Sequence, residues 1–290
     1  MIKMNRLAYK ELLIALGFLA PSLIGFALFY LVPFGQNVLI SFQDRLGGVG
    51  LTFTNYKDLF LSSSFQKAMS NTFWFTAISV PILVAASLML ALLLNQCVFF
   101  RNWLRTAYVL PLVVPVASIV LMWQILFDWN GALNQFLIHF GLDRQDWMKS
   151  DYAGVVIVGI YVWKNLGYNV VLFLAGLQNI PDQYYEIANL EGASPFRKLW
   201  SITLTYLTPT MFLVILMSIL NSFKVFRETY LVAGAYPHDR IYMMQHYMNN
   251  MFLSLDIQKL SAAAVCMALS ILVIISILFR VERKFNAFME

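Results

Sequence analysis

The stretch NIPDQYYEIANLEGASPFRKLWSITLTYLTP, residues 179–209, interrupts two long apolar runs and reads as two short helices joined by a sharp turn. Pro181 suits the first turn of a helix because its missing N–H would be unpaired there, and Asp182 complements the positive end of the dipole. Gly192 accepts the left-handed conformation that commonly closes a helix, and Ser194 followed by Pro195 has the form of a new cap and first turn. Tyr184, Ile187 and Leu190 fall near one face, with Asp182 and Glu186 placed away from them. The pattern predicts a compact, partly apolar knuckle built to dock into something. The plain alternative is an ordinary helical hairpin between two spans, a common motif.

Working outward, the chain is 60% hydrophobic and 12% charged, against about 45–50% and 25% in an average soluble domain. This is the composition of an all-α integral membrane protein. Crossing the hydrocarbon core takes about 20 apolar residues in a helix, and six stretches qualify, at about 12–34, 70–94, 106–127, 153–177, 202–222 and 259–279. Basic residues precede the first of them as in a signal peptide, but no convincing small-residue cleavage site follows, so it reads as an uncleaved span. Pro21, Pro81, Pro111 and Pro115 fall inside spans, where they kink helices and call for protein neighbours to satisfy the freed carbonyls. A short interfacial helix is expected around Val98–Arg105, where aromatics alternate with Arg101 and Arg105.

Lys and Arg in short connections set orientation. Lys3, Arg6, Lys10, Arg101, Arg105, Arg197, Lys198, Arg280, Arg283 and Lys284 share one side if the N-terminus is cytoplasmic. Nearly as many basic residues lie opposite, but in longer loops, so the density bias puts both termini and residues 179–200 in the cytoplasm. The net charge of +5 gathers at span ends and forms no stripe for nucleic acid. Trp129, Trp147, Tyr236, Tyr242 and Tyr247 in the external segments read first as an interfacial belt, and 223–258 is long enough to form a small gate or scoop. Cys97 and Cys266 have neither disulfide nor metal spacing.

Inside the spans the polar inventory is short. Lys164 is the one full charge well within a span, accompanied by Asn165, Tyr168 and Asn169. An ionisable group at that depth faces a cavity or a partner and marks a functional path by default. Tyr161, Asn165 and Tyr168 lie near one helical face, and Ser218, Asn221 and Ser222 occupy i, i+3 and i+4 on the fifth span. Helix–helix hydrogen bonding is the competing role for these groups, and snorkelling or a protein partner the competing role for Lys164. No P-loop sequence occurs, no carboxylate lies deep in a predicted span, and no nucleophile, paired-carboxylate or metal motif points to catalysis. If transport is active, its energy comes from another subunit.

The 179–209 stretch resembles the EAA loop of ATP-binding-cassette importer permeases, roughly E-A-A, three residues, G, nine residues, I-x-L-P. Glu186, Ala188, Gly192, Ile202 and Leu204 fall in register; Ile187 replaces the first alanine and Thr205 the proline. The stretches YVLPLVVPVASIVLMWQILFD at 108–128, LFLAGLQNIPDQYYEIANLEGAS at 172–194 and SFKVFRETYLVAGAYP at 222–237 are similar to sugar-type permeases of the maltose and glycerol-phosphate kind. The resemblance implies a type I importer permease, one domain over 1–290, in a bacterial or archaeal cytoplasmic membrane. Its partners would be a second homologous permease, two ATPase subunits carrying ATP and Mg, and an external solute-binding protein, with a carbohydrate as substrate. It also implies an ATPase-coupling role for Glu186, Ala188, Asn189, Gly192 and Ala193. Sugar contacts are implied for Asn165, Tyr168, Ser218 and Ser222, with Asn221, Val225 and Lys164 as further candidates. This chain itself would bind no cofactor and catalyse nothing. The competing class is an ATP-independent secondary carrier or channel.

Overall fold

The computed structural model describes residues 6–44, 50–96 and 114–289. Six helical stretches are long and apolar enough to cross a membrane, Ile14–Ser41, Ser63–Asn95, Val116–His139, Ala153–Gln178, Pro195–Ala233 and Ile257–Lys284. Among the described residues the only β pairing is an isolated bridge, Gln43 with Leu51.

The first stretch is α1 (Arg6–Phe26) continued through a wide π-helical turn, Ala27–Leu31, into α2 (Val32–Ser41). Next come α3 (Thr54–Leu61) and α4 (Ser63–Gln96). The third stretch is α5 (Val116–Phe127) followed by α6 (Ala132–His139), and the fourth is α7 (Ala153–Gln178). The connecting hairpin holds α8 (Asp182–Leu190) and α9 (Pro195–Lys198), and a second π-helical turn, Leu199–Thr203, leads into α10 (Leu204–Ser222). Beyond it lie α11 (Phe226–Ala233), α12 (Met244–Leu253) and α13 (Ile257–Met289).

Three expectations are corrected. Pro115 does not kink a span: it caps the start of α5 with an extended backbone, a position where its missing N–H costs nothing. The fifth apolar stretch does not stop at Ser222, because the chain turns once and resumes as α11, carrying Glu228 with it. Tyr247 is not in an interfacial belt but 2% exposed, its ring edge-on to Phe65 at 5.5 Å. The Val98–Arg105 helix, residues 106–113 of the third span, and Lys3 and Cys97 lie outside the described residues.

Contacts divide the chain into two compact units, 1–61 with 251–268 and 62–250 with 269–290. In the first unit α3 is fixed to the end of α2 by Asn55, whose Nδ2 donates to the carbonyls of Ser41 (3.0 Å) and Gln43 (2.8 Å). The Phe42 ring packs there on Phe53 and Tyr56. These bonds satisfy carbonyls that the helix end leaves unpaired.

In the second unit α4, α7 and α10 pack on one another. One apolar cluster includes Phe75, Leu83, Ile157 and Ile160, and another includes Ala91, Val170, Phe173, Leu207 and Val214. Gly176 allows a close approach of α7 and α10: a Cβ added there would stand 2.6 Å from Thr210 Oγ1 and 2.8 Å from Leu207 Cδ2. Small residues at such crossings are how membrane helices gain dispersion contact, since lipid supplies no hydrophobic drive between them. The segment after α11 is tied to α4: Asn71 Nδ2 donates to the carbonyls of Asp239 (2.6 Å) and Tyr242 (2.9 Å), and Thr72 Oγ1 accepts the Met244 N–H at 3.0 Å.

Candidate functional site

Two sites emerge, a polar cavity between α7 and the α10–α11 turn, and the knuckle of α8 and α9. The cavity holds about 260 Å³ and is lined by Tyr161, Lys164 and Asn165 of α7 with Asn221, Lys224, Val225, Arg227 and Glu228 from the facing α10–α11 segment. Lys164, 21% exposed in its side chain, pairs its ammonium with the Glu228 carboxylate, 6% exposed. The Asn165 side chain donates to the Tyr161 carbonyl at 2.9 Å and accepts from Asn221 Nδ2 at 3.4 Å. Several side-chain donors and acceptors therefore converge on a space just below the 300–1,000 Å³ usual for small-molecule pockets (~300 at the low end). That room suits a small hydroxylated solute or one ring of a longer one.

Of the residues singled out from sequence, Tyr161, Lys164, Asn165, Asn221 and Val225 are brought together on this cavity. Ser218 and Ser222 lie behind it and are wholly buried. Ser218 accepts from Asn169 Nδ2 at 2.9 Å through its hydroxyl and from Tyr161 Oη at 2.6 Å through its carbonyl. Ser222 shares a 2.8 Å hydrogen bond with Thr76 of α4 and donates to the Ile219 carbonyl. Through these bonds Ser222 fastens α10 to α4 and Ser218 fastens it to α7, as hydroxyls between membrane helices often do. Tyr168 is half-buried on α7 and does not line the cavity. Lys224, Arg227 and Glu228 were not anticipated, since they follow the apolar run that defines the span. Their signal in the sequence is the i, i+4 spacing of Lys224 and Glu228 and the i, i+3 spacing of Lys224 and Arg227.

The knuckle is closed by its own backbone. Gly192, at φ +73°, ends α8 in the left-handed region; its N–H reaches the Asn189 carbonyl at 3.1 Å, and the Ala193 N–H reaches the Ala188 carbonyl at 2.9 Å. This paired arrangement is the Schellman motif. Ser194 Oγ accepts from the Arg197 N–H at 3.3 Å, capping α9. Pro181 sits at the cap of α8, one residue before the helical turn where its ring was expected. Lys198 Nζ donates to Asn189 Oδ1 at 2.7 Å across the turn, and the Tyr185 and Thr203 hydroxyls share a 2.8 Å bond. The Tyr184 and Tyr206 rings meet at 4.9 Å.

One face of the knuckle shows apolar side chains to solvent. Ala188 is buried against the hairpin while Tyr184, Ile187 and Leu190, spaced i, i+3, i+6, face outward, Leu190 being 89% exposed. Phe196 is likewise exposed on α9, with Glu186, Asn189 and Gly192 exposed beside this face and Ala193 half-buried. Ile187 therefore fits where the resembling pattern has alanine, since its larger side chain points away from the packing. Thr205 stands in place of the proline and turns its hydroxyl back toward the Trp200 carbonyl at 3.5 Å. Among the described residues no group of His, Cys, Asp and Glu is placed to hold a metal ion.

Over 223 residues the chain is 32% identical to the arabinooligosaccharides transport system permease protein AraP of Bacillus subtilis, covering 74% of this chain and 70% of that protein. It is 28% identical to the sn-glycerol-3-phosphate transport system permease protein UgpA of Yersinia pestis over 273 residues, 91% of this chain and 92% of that one. A solved bacterial alginate ABC transporter, in complex with its alginate pentasaccharide-bound periplasmic protein, has a chain of the same fold. That chain superposes with a TM-score of 0.83 at 21% identity, covering 95% of this chain and 96% of its own. The family model described as "binding-protein-dependent transport system inner membrane component" matches residues 83–289. With six membrane-length helices in that fold and a match over most of its length, the chain belongs to the family of binding-protein-dependent transport system inner membrane components.

Proposed function

We propose that this chain is the permease subunit of an ATP-driven importer that carries a sugar or related polyol across the cytoplasmic membrane. In this reading residues 1–290 act as one permease domain. Both termini and the 179–200 knuckle are cytoplasmic, and solute arrives from an external binding protein. A second homologous permease completes the pathway, and two ATPase subunits hold the ATP and Mg. The names of the relatives support the substrate class, and the polar lining of the cavity suits it: neutral hydroxyls need hydrogen-bond partners, which Asn165, Asn221 and Tyr161 can offer.

The observation that carries the reading is the outward apolar face of α8 on a knuckle stapled to α10. An exposed row of Tyr184, Ile187 and Leu190 on the polar side of a membrane protein marks an interaction site. A hairpin held by the Schellman closure, the Lys198–Asn189 bond and the Tyr185–Thr203 bond moves as one body with the helix it enters. ATP binding would draw the ATPase pair together, and the docked knuckle would turn α10 and the spans packed on it, opening the cavity outward. Release after hydrolysis would reverse the motion. Such coupling needs contacts that differ between the two states of the motor, because a partner with equal affinity for both shifts nothing.

The test is uptake by the reconstituted assembly after Leu190→Glu. Placing a charge in the docking face should weaken ATPase association by roughly tenfold, about 1.4 kcal/mol. Uptake and transport-coupled ATP hydrolysis should fall together. Full coupled transport by Leu190→Glu and by Gly192→Val, each verified as folded, would refute the docking role.

A further inference from the structure

The cavity between α7 and the α10–α11 turn contains more positive charge than its own residues balance. Its charged lining is Lys164, Lys224, Arg227 and Glu228. Glu228 is engaged by Lys164, so that pair is neutral and Lys164 has found one of the two things its depth called for, a protein partner. Lys224 and Arg227 are exposed at the same opening, and among the described residues neither has an ion-pair partner. They stand three residues apart, Lys224 in the turn before α11 and Arg227 in its first turn, close enough for like charges to repel. Two unbalanced cations beside a cavity at a membrane-helix end raise the local concentration of anions and favour a bound one. Lys supplies a mobile point charge and Arg a planar fork that grips a carboxylate, phosphate or sulfonate through two parallel N–H bonds.

We infer that the solute admitted to this cavity is an anionic carbohydrate, its hydroxyls taken by Asn165 and Asn221 and its acidic group by Lys224 and Arg227. The inference rests on the import function proposed above and narrows its substrate. The Lys164–Glu228 pair forms part of the wall of the site. Because Glu228 is already satisfied, it does not repel an incoming acid as a bare carboxylate would, and Lys164 holds it in that state.

The experiment uses the full assembly purified in a neutral detergent, with matched carbohydrate pairs as probes: glucose and glucuronate, galactotriose and trigalacturonate, glycerol and glycerol 3-phosphate. Native mass spectrometry and calorimetry read binding, with and without the Lys224→Gln/Arg227→Gln double substitution at exposed positions. An acidic member should bind at least about tenfold tighter than its neutral partner, weaken as salt rises, and lose most of that advantage in the double variant. A neutral member binding as well as its acidic partner, or acid binding untouched by the double substitution, would overturn the anionic assignment and leave carbohydrate import standing. An anionic phospholipid found in place of solute, and lost in the double variant, would overturn it too. Binding of no carbohydrate of either kind, in an assembly that retains coupled ATPase activity, would remove the carbohydrate import reading itself.

Discussion

Lys164 and Glu228 are 64 residues apart in the chain and meet in the wall of the cavity. Burying two charges is costly, and their mutual attraction offsets that cost only while both are present. Lys164→Ala should therefore destabilise the folded chain by about 3–5 kcal/mol, because it leaves a carboxylate buried without a counter-charge. Lys164→Met combined with Glu228→Leu should return most of that stability. Thermal denaturation of the detergent-purified chain decides the matter; equal losses in the single and double variants would show that the pair is not coupled. From sequence, Lys164 is legible as a group needing a partner, since a charge among apolar residues has no other stable arrangement. Its partner is not legible. Glu228 lies past the point where the apolar run ends, and only the turn after Ser222 folds it back against α7.

At the scale of the element, α8 and α12 differ in how much their residues declare. The limits of α8 follow from local chemistry: Asp182 in its first turn, Gly192 at its close and Ser194 opening the next helix are all where the sequence puts them. Which face of α8 is inward is not legible locally: Ala188 is buried while Ile187 and Leu190, both larger and more apolar, are exposed. In α12 the period of the residues gives no warning that His246 is wholly buried. Its Nδ1 accepts the Met243 N–H at 3.3 Å, and the rings of Phe226 and Tyr242 stand against it at 4.9 and 5.9 Å. Burial penalises the charged imidazolium and pushes its pKa down from 6.5 to about 4. Between these values the unfolded segment binds more protons than the folded one. The docking of α12 is therefore at full strength above pH 6.5 and weakens as pH falls toward 4. Amide hydrogen exchange across 244–253 should accelerate over that window, after correction for the intrinsic pH dependence of exchange. His246→Gln should remove the pH response; an unchanged response in that variant would assign it to another group.

For the whole molecule, the six membrane stretches are the most readable feature, because bilayer thickness is a physical length that each apolar run must match. Their ends are less readable, as α10 and α11 show, since a helix can bend and continue through residues too polar to count as a span. The division into two compact units is invisible in composition, which is apolar throughout. Close packing of α7 on α10 turns on Gly176, whose role depends on a neighbour more than thirty residues away. Gly176→Ala should cost about 1–3 kcal/mol by overpacking, and Thr210→Ala in the same chain should recover part of it by clearing the side chain in the way. Thermal stability of the single and double variants in detergent is the measurement, and Gly176→Ala without loss would mean that the crossing can open at no cost.

The wide turn at Leu199–Thr203 stands between the knuckle and α10. A π-helical turn holds one residue more than an α-helical one, and each residue of an α-helix advances the chain by about 100° around its axis. The compass bearing of Tyr184, Ile187 and Leu190, as seen down α10, is thus fixed by a single surplus residue. Straightening that turn would leave both flanking helices intact and swing the docking face nearly a third of a revolution away from its partner.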